Sequence, residues 1–148
     1  MKTKVLTILI FALAAGLLGF ARQEETLPQL MARADAASSG QQADLCMEVA
    51  EREVKLALAA YKANNIDEGR VSLQQIMKYA DKGHSAAIQS GKRLKHTEIK
   101  LRQAALHLRD LKFNVDVDDQ PLVQAAVDKL EDFRTEILKK MFGSKSDD

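Results

Sequence analysis

Residues 83–112, GHSAAIQSGKRLKHTEIKLRQAALHLRDLK, decide the architecture, because they read either as the middle of one very long helix or as two helices with a break. Positions seven apart keep one apolar or small line: Leu73, Ala80, Ala87, Leu94, Leu101, Leu108 and Val115. A second line beside it reads Gly69, Ile76, Gly83, Ser90, Thr97, Ala104 and Leu111. A heptad phase that never slips is the pattern of a helix packed along one seam. It favours a single third helix over about 67–113, roughly 70 Å long at ~1.5 Å per residue. The competing reading is a break at Gly83 or Gly91, each costing about 1 kcal/mol within a helix, that folds the chain into a compact bundle. In both cases Ala80, Gly83, Ala87 and Ser90 leave room for a neighbouring helix to come close.

The flanking sequence is also helical in pattern. Thr26 with Gln29 forms a capping-box arrangement and Pro28 suits a first turn, so a short helix is expected over about 27–38, closed by "SSG" at 38–40. A second helix, about 43–64, is apolar over a wide arc and ends at the "NNID" turn, 64–67. A last helix, about 120–142, follows Asp118 or Asp119 as its cap and presents Val123, Ala126, Leu130, Phe133, Ile137 and Met141 on one face. No segment reads as a strand. The fold class is therefore all-α, an antiparallel helical bundle with a long third helix, in one domain over 22–143 with a loose tail at 144–148.

The first 21 residues read as a secretory signal: Lys2 and Lys4, an uncharged apolar run from Val5 to Phe20, and small residues Gly19 and Ala21 before a cut. The sixteen-residue run is shorter than the ~20 a membrane-spanning helix needs. A periplasmic or secreted destination follows, with an uncleaved anchor as the lesser alternative. The chain holds 22 basic and 21 acidic residues, and losing Lys2 and Lys4 with the signal leaves a net charge of −1. That balance argues against a nucleic-acid partner. Cys46 is the only cysteine, so no internal disulfide forms, and its place in the apolar arc of the second helix predicts a buried, inert thiol.

The segment 91–112 carries seven Lys or Arg against two acids. On a helix, Lys95, Arg102 and Arg109 form one line beside an apolar stripe of Ile99, Leu106 and Phe113. Lys92, Arg93, Lys100 and His107 point to a broader polar side. Residues 116–136 are as acidic as this segment is basic. An antiparallel pairing of the two helices predicts a charge ladder of Lys95, Arg102 and Arg109 with Asp128, Glu131 and Asp132. It also leaves Ile99, Leu106 and Phe113 as a candidate interaction surface.

No pattern calls for a cofactor or a metal. Asn114, Asp116 and Asp118 have calcium-loop spacing, but Asp119 stands where the loop needs Gly and Ala125 where it needs Glu. His84, His96 and His107 lack ligand spacing and read as exposed, and no nucleophile or acid/base signature appears.

Residues 56–80, LALAAYKANNIDEGRVSLQQIMKYA, resemble a single tetratricopeptide repeat: Tyr61 near the end of one helix, a short turn, Gly69 early in the next, then Ile76 and Tyr79. The early aromatic and the closing proline of that motif are missing and no second copy follows, so the resemblance implies a helical hairpin, not a solenoid. The run from GKRLKHTEIKLRQAALHLRDLK to RTEILKKMFG is similar to a group of uncharacterised exported helical proteins of bacteria, over about residues 43–143. That likeness implies a class and no mechanism. The expected function is a non-enzymatic, exported scaffold or adaptor acting by protein–protein contact with an unidentified partner or a second copy of itself. The alternatives are a small-ligand-binding bundle with its site between helices, and an envelope protein held at a membrane surface.

Overall fold

The computed structural model describes residues 24–143; the expected signal segment and the tail at 144–148 lie outside the described residues. Five helices follow in order: α1 Leu27–Ala36, α2 Ser39–Lys62, α3 Ile66–Ser90, α4 Leu94–Lys112 and α5 Gln120–Phe142. No strand occurs among the described residues. The four long helices run alternately up and down. α2 packs on α3 and α4 on α5, while α2 also meets α4 and α3 meets α5. α3 and α4, although consecutive, occupy opposite corners and touch least of the packed pairs. The core runs the length of the bundle through Met47, Leu73, Ile76, Leu101, Leu108, Leu130 and Ile137.

The expected continuous third helix is in fact two. α3 ends at Gly91, whose φ of +66° is left-handed and whose N–H closes on the Ala87 carbonyl. Arg93, also left-handed at +62°, then starts α4. Two left-handed residues within three positions turn the chain back on itself, a conformation open to Gly and costly for Arg by about 1–2 kcal/mol. Arg93 is held there by Asp44, with Nε 2.7 Å from Oδ1. The heptad phase survives the turn because both helices direct the same line of residues into one core. Periodicity reports which side faces inward and says nothing of straightness.

Gly83 is not a break. It lies inside α3, where an added Cβ would stand 2.8 Å from Met47 Cε, 3.1 Å from Cys46 Cβ and 3.3 Å from the Ala43 carbonyl oxygen. The small-residue line thus does let α2 approach closely. Gly40 serves similarly: α2 begins at Ser39, four residues before the expected start, and a Cβ on Gly40 would meet Arg93 Cγ at 3.0 Å. "SSG" therefore opens α2 instead of merely closing α1.

The capping box of α1 forms as expected, with Gln29 N–H donating to Thr26 Oγ1 at 3.4 Å and Thr26 N–H to Gln29 Oε1 at 3.0 Å. Asp119 occupies the N-cap position of α5, but its side chain makes no capping bond because Arg70 of α3 takes it. α1 lies along α2. Arg52 donates to the Glu25 carbonyl at 2.7 Å, and Asp35 accepts from Lys82 at 2.6 Å and from the Tyr79 hydroxyl at 3.4 Å.

Candidate functional site

The basic face of α4 meets two acidic partners where one was expected. Of the ladder of Lys95, Arg102 and Arg109 with Asp128, Glu131 and Asp132, the structure brings together Arg109 and Glu131, at 2.9 Å. Arg102 turns to Glu98 of its own helix at 3.7 Å. Glu98 is held more closely by Arg134 of α5, at 2.7 Å, and Arg134 also reaches Glu131 at 3.2 Å. Asp128 accepts from Gln124, which accepts from Lys112. Lys95 and Asp132 join no ion pair among the described residues. The rest of the ladder does not form because α4 and α5 meet through Glu98, Arg134, Glu131 and Arg109, an alternating row that places a base on the acidic helix and an acid on the basic one.

The other side of α4 faces α2. Asp44 and Glu51 of α2 stand seven residues apart, as do Arg93 and Lys100 of α4, and each pairs in order: Arg93 with Asp44 at 2.7 Å, Lys100 with Glu51 at 2.6 Å. Matching spacing in the same chain direction is what parallel neighbours produce. That signal is present in the sequence, but a continuous third helix hides it, because only a turn between α3 and α4 makes α4 parallel to α2. His96 adds a longer contact to Asp44, at 3.7 Å.

Between these two helices lies an apolar cleft of 150 Å³. Its floor is buried: Met47, Ala50 and Val54 from α2, Ala80 from α3, Leu101 and Ala104 from α4, Leu130 from α5. Polar side chains stand only at the mouth, where Glu51 bridges Lys100 and Lys55, the latter at 3.3 Å, beside Gln103 and His107. The hydrogen bond from Lys100 holds the Glu51 carboxyl below its ordinary value, against the opposing effect of burial. An engineered cavity of this size in another protein stays dry and takes up benzene. The space thus suits one aromatic ring or a short acyl chain, with charge available where the ligand would emerge.

The expected surface of Ile99, Leu106 and Phe113 points outward from α4, opposite Leu101, Ala105 and Leu108. Ile99 is half-buried, Leu106 is 50% exposed and Phe113 is 83% exposed. The three share a line but do not lie equally open.

Cys46 is fully buried and its thiol is pushed up to about 11 by burial, so it is not a nucleophile. His84 is buried, contrary to expectation. Its ring stacks on Phe133 at 4.6 Å, and Nε2 lies 2.9 Å from a Glu136 carboxylate oxygen without hydrogen-bond geometry. His96 is half-buried and His107 exposed. Among the described residues no three His, Cys, Asp or Glu gather to hold a metal, and no helix is long and apolar enough to cross a membrane. Set against known proteins, the chain has no matching family model, and no curated protein or solved structure matches it.

Proposed function

We propose that this chain is an exported, non-enzymatic helical binding protein whose α2–α4 cleft takes a small amphipathic anion with a ring-sized or short-chain apolar part. The supporting observation is the 150 Å³ apolar space, floored by buried side chains and opening beside Lys55, Lys100 and His107. Ligand pockets are apolar with a few convergent polar groups, and bundles form them between helices. The two lysines share one carboxylate, Glu51, so an incoming anion meets an excess of positive charge.

Calorimetric titration of the chain from Arg22 onward with phenylacetate tests this, with benzylamine as a cation of similar shape. Saturable binding of phenylacetate, weaker binding of benzylamine, and loss of both in Ala104→Leu, which fills the cleft, are expected. Equal binding by the filled variant would overturn it.

A second reading, an adaptor working through protein contacts, is favoured by the outward line of Leu106 on α4 and Phe113 at its C-terminal cap. Sedimentation of the parent and Leu106→Glu tests it: the parent associates with itself or a partner, and the variant does not. A membrane-surface role has less support, since Arg93 and Lys100 are already held by α2 carboxylates.

A further inference from the structure

The face of α2 turned away from the cleft carries a second concavity, between its C-terminal half and the first turns of α3. It is an open groove of 650 Å³, lined by Leu56, Ala59, Ala63 and Val71. Leu56 is 47% exposed and Val71 55%. The groove shares no residue with the cleft.

Three observations say what covers it. The first is the neighbour already seated beside it. α1, itself a helix packed through Leu27, Leu30 and Met31, begins where Arg52 of α2 holds the Glu25 carbonyl. Leu56, Ala59 and Ala63 continue the same side of α2 beyond that point. The groove is thus the extension, covered by none of the described residues, of a strip on which a helix already lies.

The second is charge. Asp67 and Glu68 line the rim, and no lysine or arginine lines the groove at all. Arg70, the nearest base to Asp67 at 3.7 Å, is committed to Asp119 at 2.7 Å.

The third is Glu53. It lines the groove, is only 4% exposed, and has the Ser72 hydroxyl as a hydrogen-bond partner but no counter-cation among the described residues. A buried carboxylate is stable when paired and costly when left with a single neutral donor.

We infer that the α2–α3 groove is the docking site of a basic amphipathic helix from a protein partner, its apolar side on Leu56 and Val71 and one lysine or arginine reaching Glu53. A helix in a groove is a common recognition mode and needs an apolar strip with flanking charge. A small cation would neutralise Glu53 yet leave Leu56 and Val71 in water, which is why the occupant is a helix. The rim acids steer it and oppose an acidic one.

The test uses the chain from Arg22 onward and a fluorescein-labelled 14-residue helix of leucine and lysine, with its leucine–glutamate counterpart, followed by anisotropy at physiological salt. The Leu/Lys helix should bind and the Leu/Glu helix should not. Glu53→Gln, which keeps the shape and the Ser72 contact, should weaken binding about tenfold, the factor for ~1.4 kcal/mol. Val71→Lys alters an exposed position, so the fold is retained, and it should weaken binding at least as much. Ala104→Leu in the cleft should leave this binding unchanged. No binding of the Leu/Lys helix, equal binding of both helices, or full binding by Val71→Lys would overturn the proposal. So would a parent dimer that Val71→Lys splits, since the occupant would then be a second copy.

Discussion

Arg70 Nε donates to Asp119 Oδ1 at 2.7 Å, and the two partners differ sharply in exposure: Asp119 is buried, whereas the Arg70 side chain remains nearly half open to water. Their deletion is therefore not symmetrical. Arg70→Ala strands a buried carboxylate, while Asp119→Ala leaves a guanidinium that water solvates. The melting temperature is expected to fall more for Arg70→Ala than for Asp119→Ala, and the double variant should resemble Asp119→Ala. Thermal denaturation of the three variants checks this; equal losses would show that Asp119 is hydrated in the native state.

Gly83 and Gly91 should respond to alanine for different reasons. At Gly83 the new methyl meets Met47, Cys46 and the Ala43 backbone. Overpacking of about 1–3 kcal/mol then outweighs the ~1 kcal/mol gained in helix propensity. At Gly91 there is open space, but φ is +66°, so alanine costs about 1–2 kcal/mol through the backbone alone. Denaturant unfolding of Gly83→Ala, Gly83→Val and Gly91→Ala separates the two: the loss grows with side-chain size at 83, and crystallography of Gly91→Ala should still find two helices.

These two glycines also mark how far the sequence was legible. Helix content, the capping box at Thr26, the buried Cys46 and the close α2 approach at Gly83 all follow from local pattern, and all were readable. A break at Gly91 was one of two readings, and nothing local decided for it, because the contacts that hold the 91–93 turn, Arg93 with Asp44 and Gly40 against Arg93, join residues about fifty apart in the chain. Losing that turn also misplaced the charge partners, since a straight helix would never lie parallel to α2. The cleft was anticipated only in kind: Ala50, Ala80 and Ala104 line it from three helices, and their convergence depends on that same turn.

Acid and neutral pH should act oppositely on two sets of carboxyls. Burial raises Glu53 above its ordinary 4.5, so its ionisation opposes folding at neutral pH and ceases to matter once it is protonated in both states. Glu51 and Asp35 are lowered, chiefly by hydrogen bonds from Lys100 and Lys82. Their contribution is present above the ordinary 4.5 and 3.8 and fades as pH falls through the lowered values. Glu53→Gln is expected to melt higher than the parent at pH 7, with the gap closing below about pH 4.5 while both proteins weaken. Melting curves from pH 3 to 8 follow this; a constant gap would mean that Glu53 keeps its ordinary value.

Leu106→Glu and Phe113→Ser change outward residues and should alter unfolding free energy by no more than about 0.5 kcal/mol. Circular dichroism with urea unfolding checks it. A loss of several kcal/mol would place Leu106 in the core.

The crossing from α3 to α4 has a kinetic consequence. α2–α3 and α4–α5 are each hairpins of sequence neighbours, and Arg70–Asp119, Arg93–Asp44, Lys100–Glu51 and His84–Glu136 all span the plane between them. Local hairpins form early and their docking comes later. Amides within each hairpin should thus exchange with solvent through rarer openings than the contacts across the plane. The cleft lies in that plane, so its entrance is governed by brief parting of two preformed halves, and occupancy of the cleft should slow exchange on both sides of it at once.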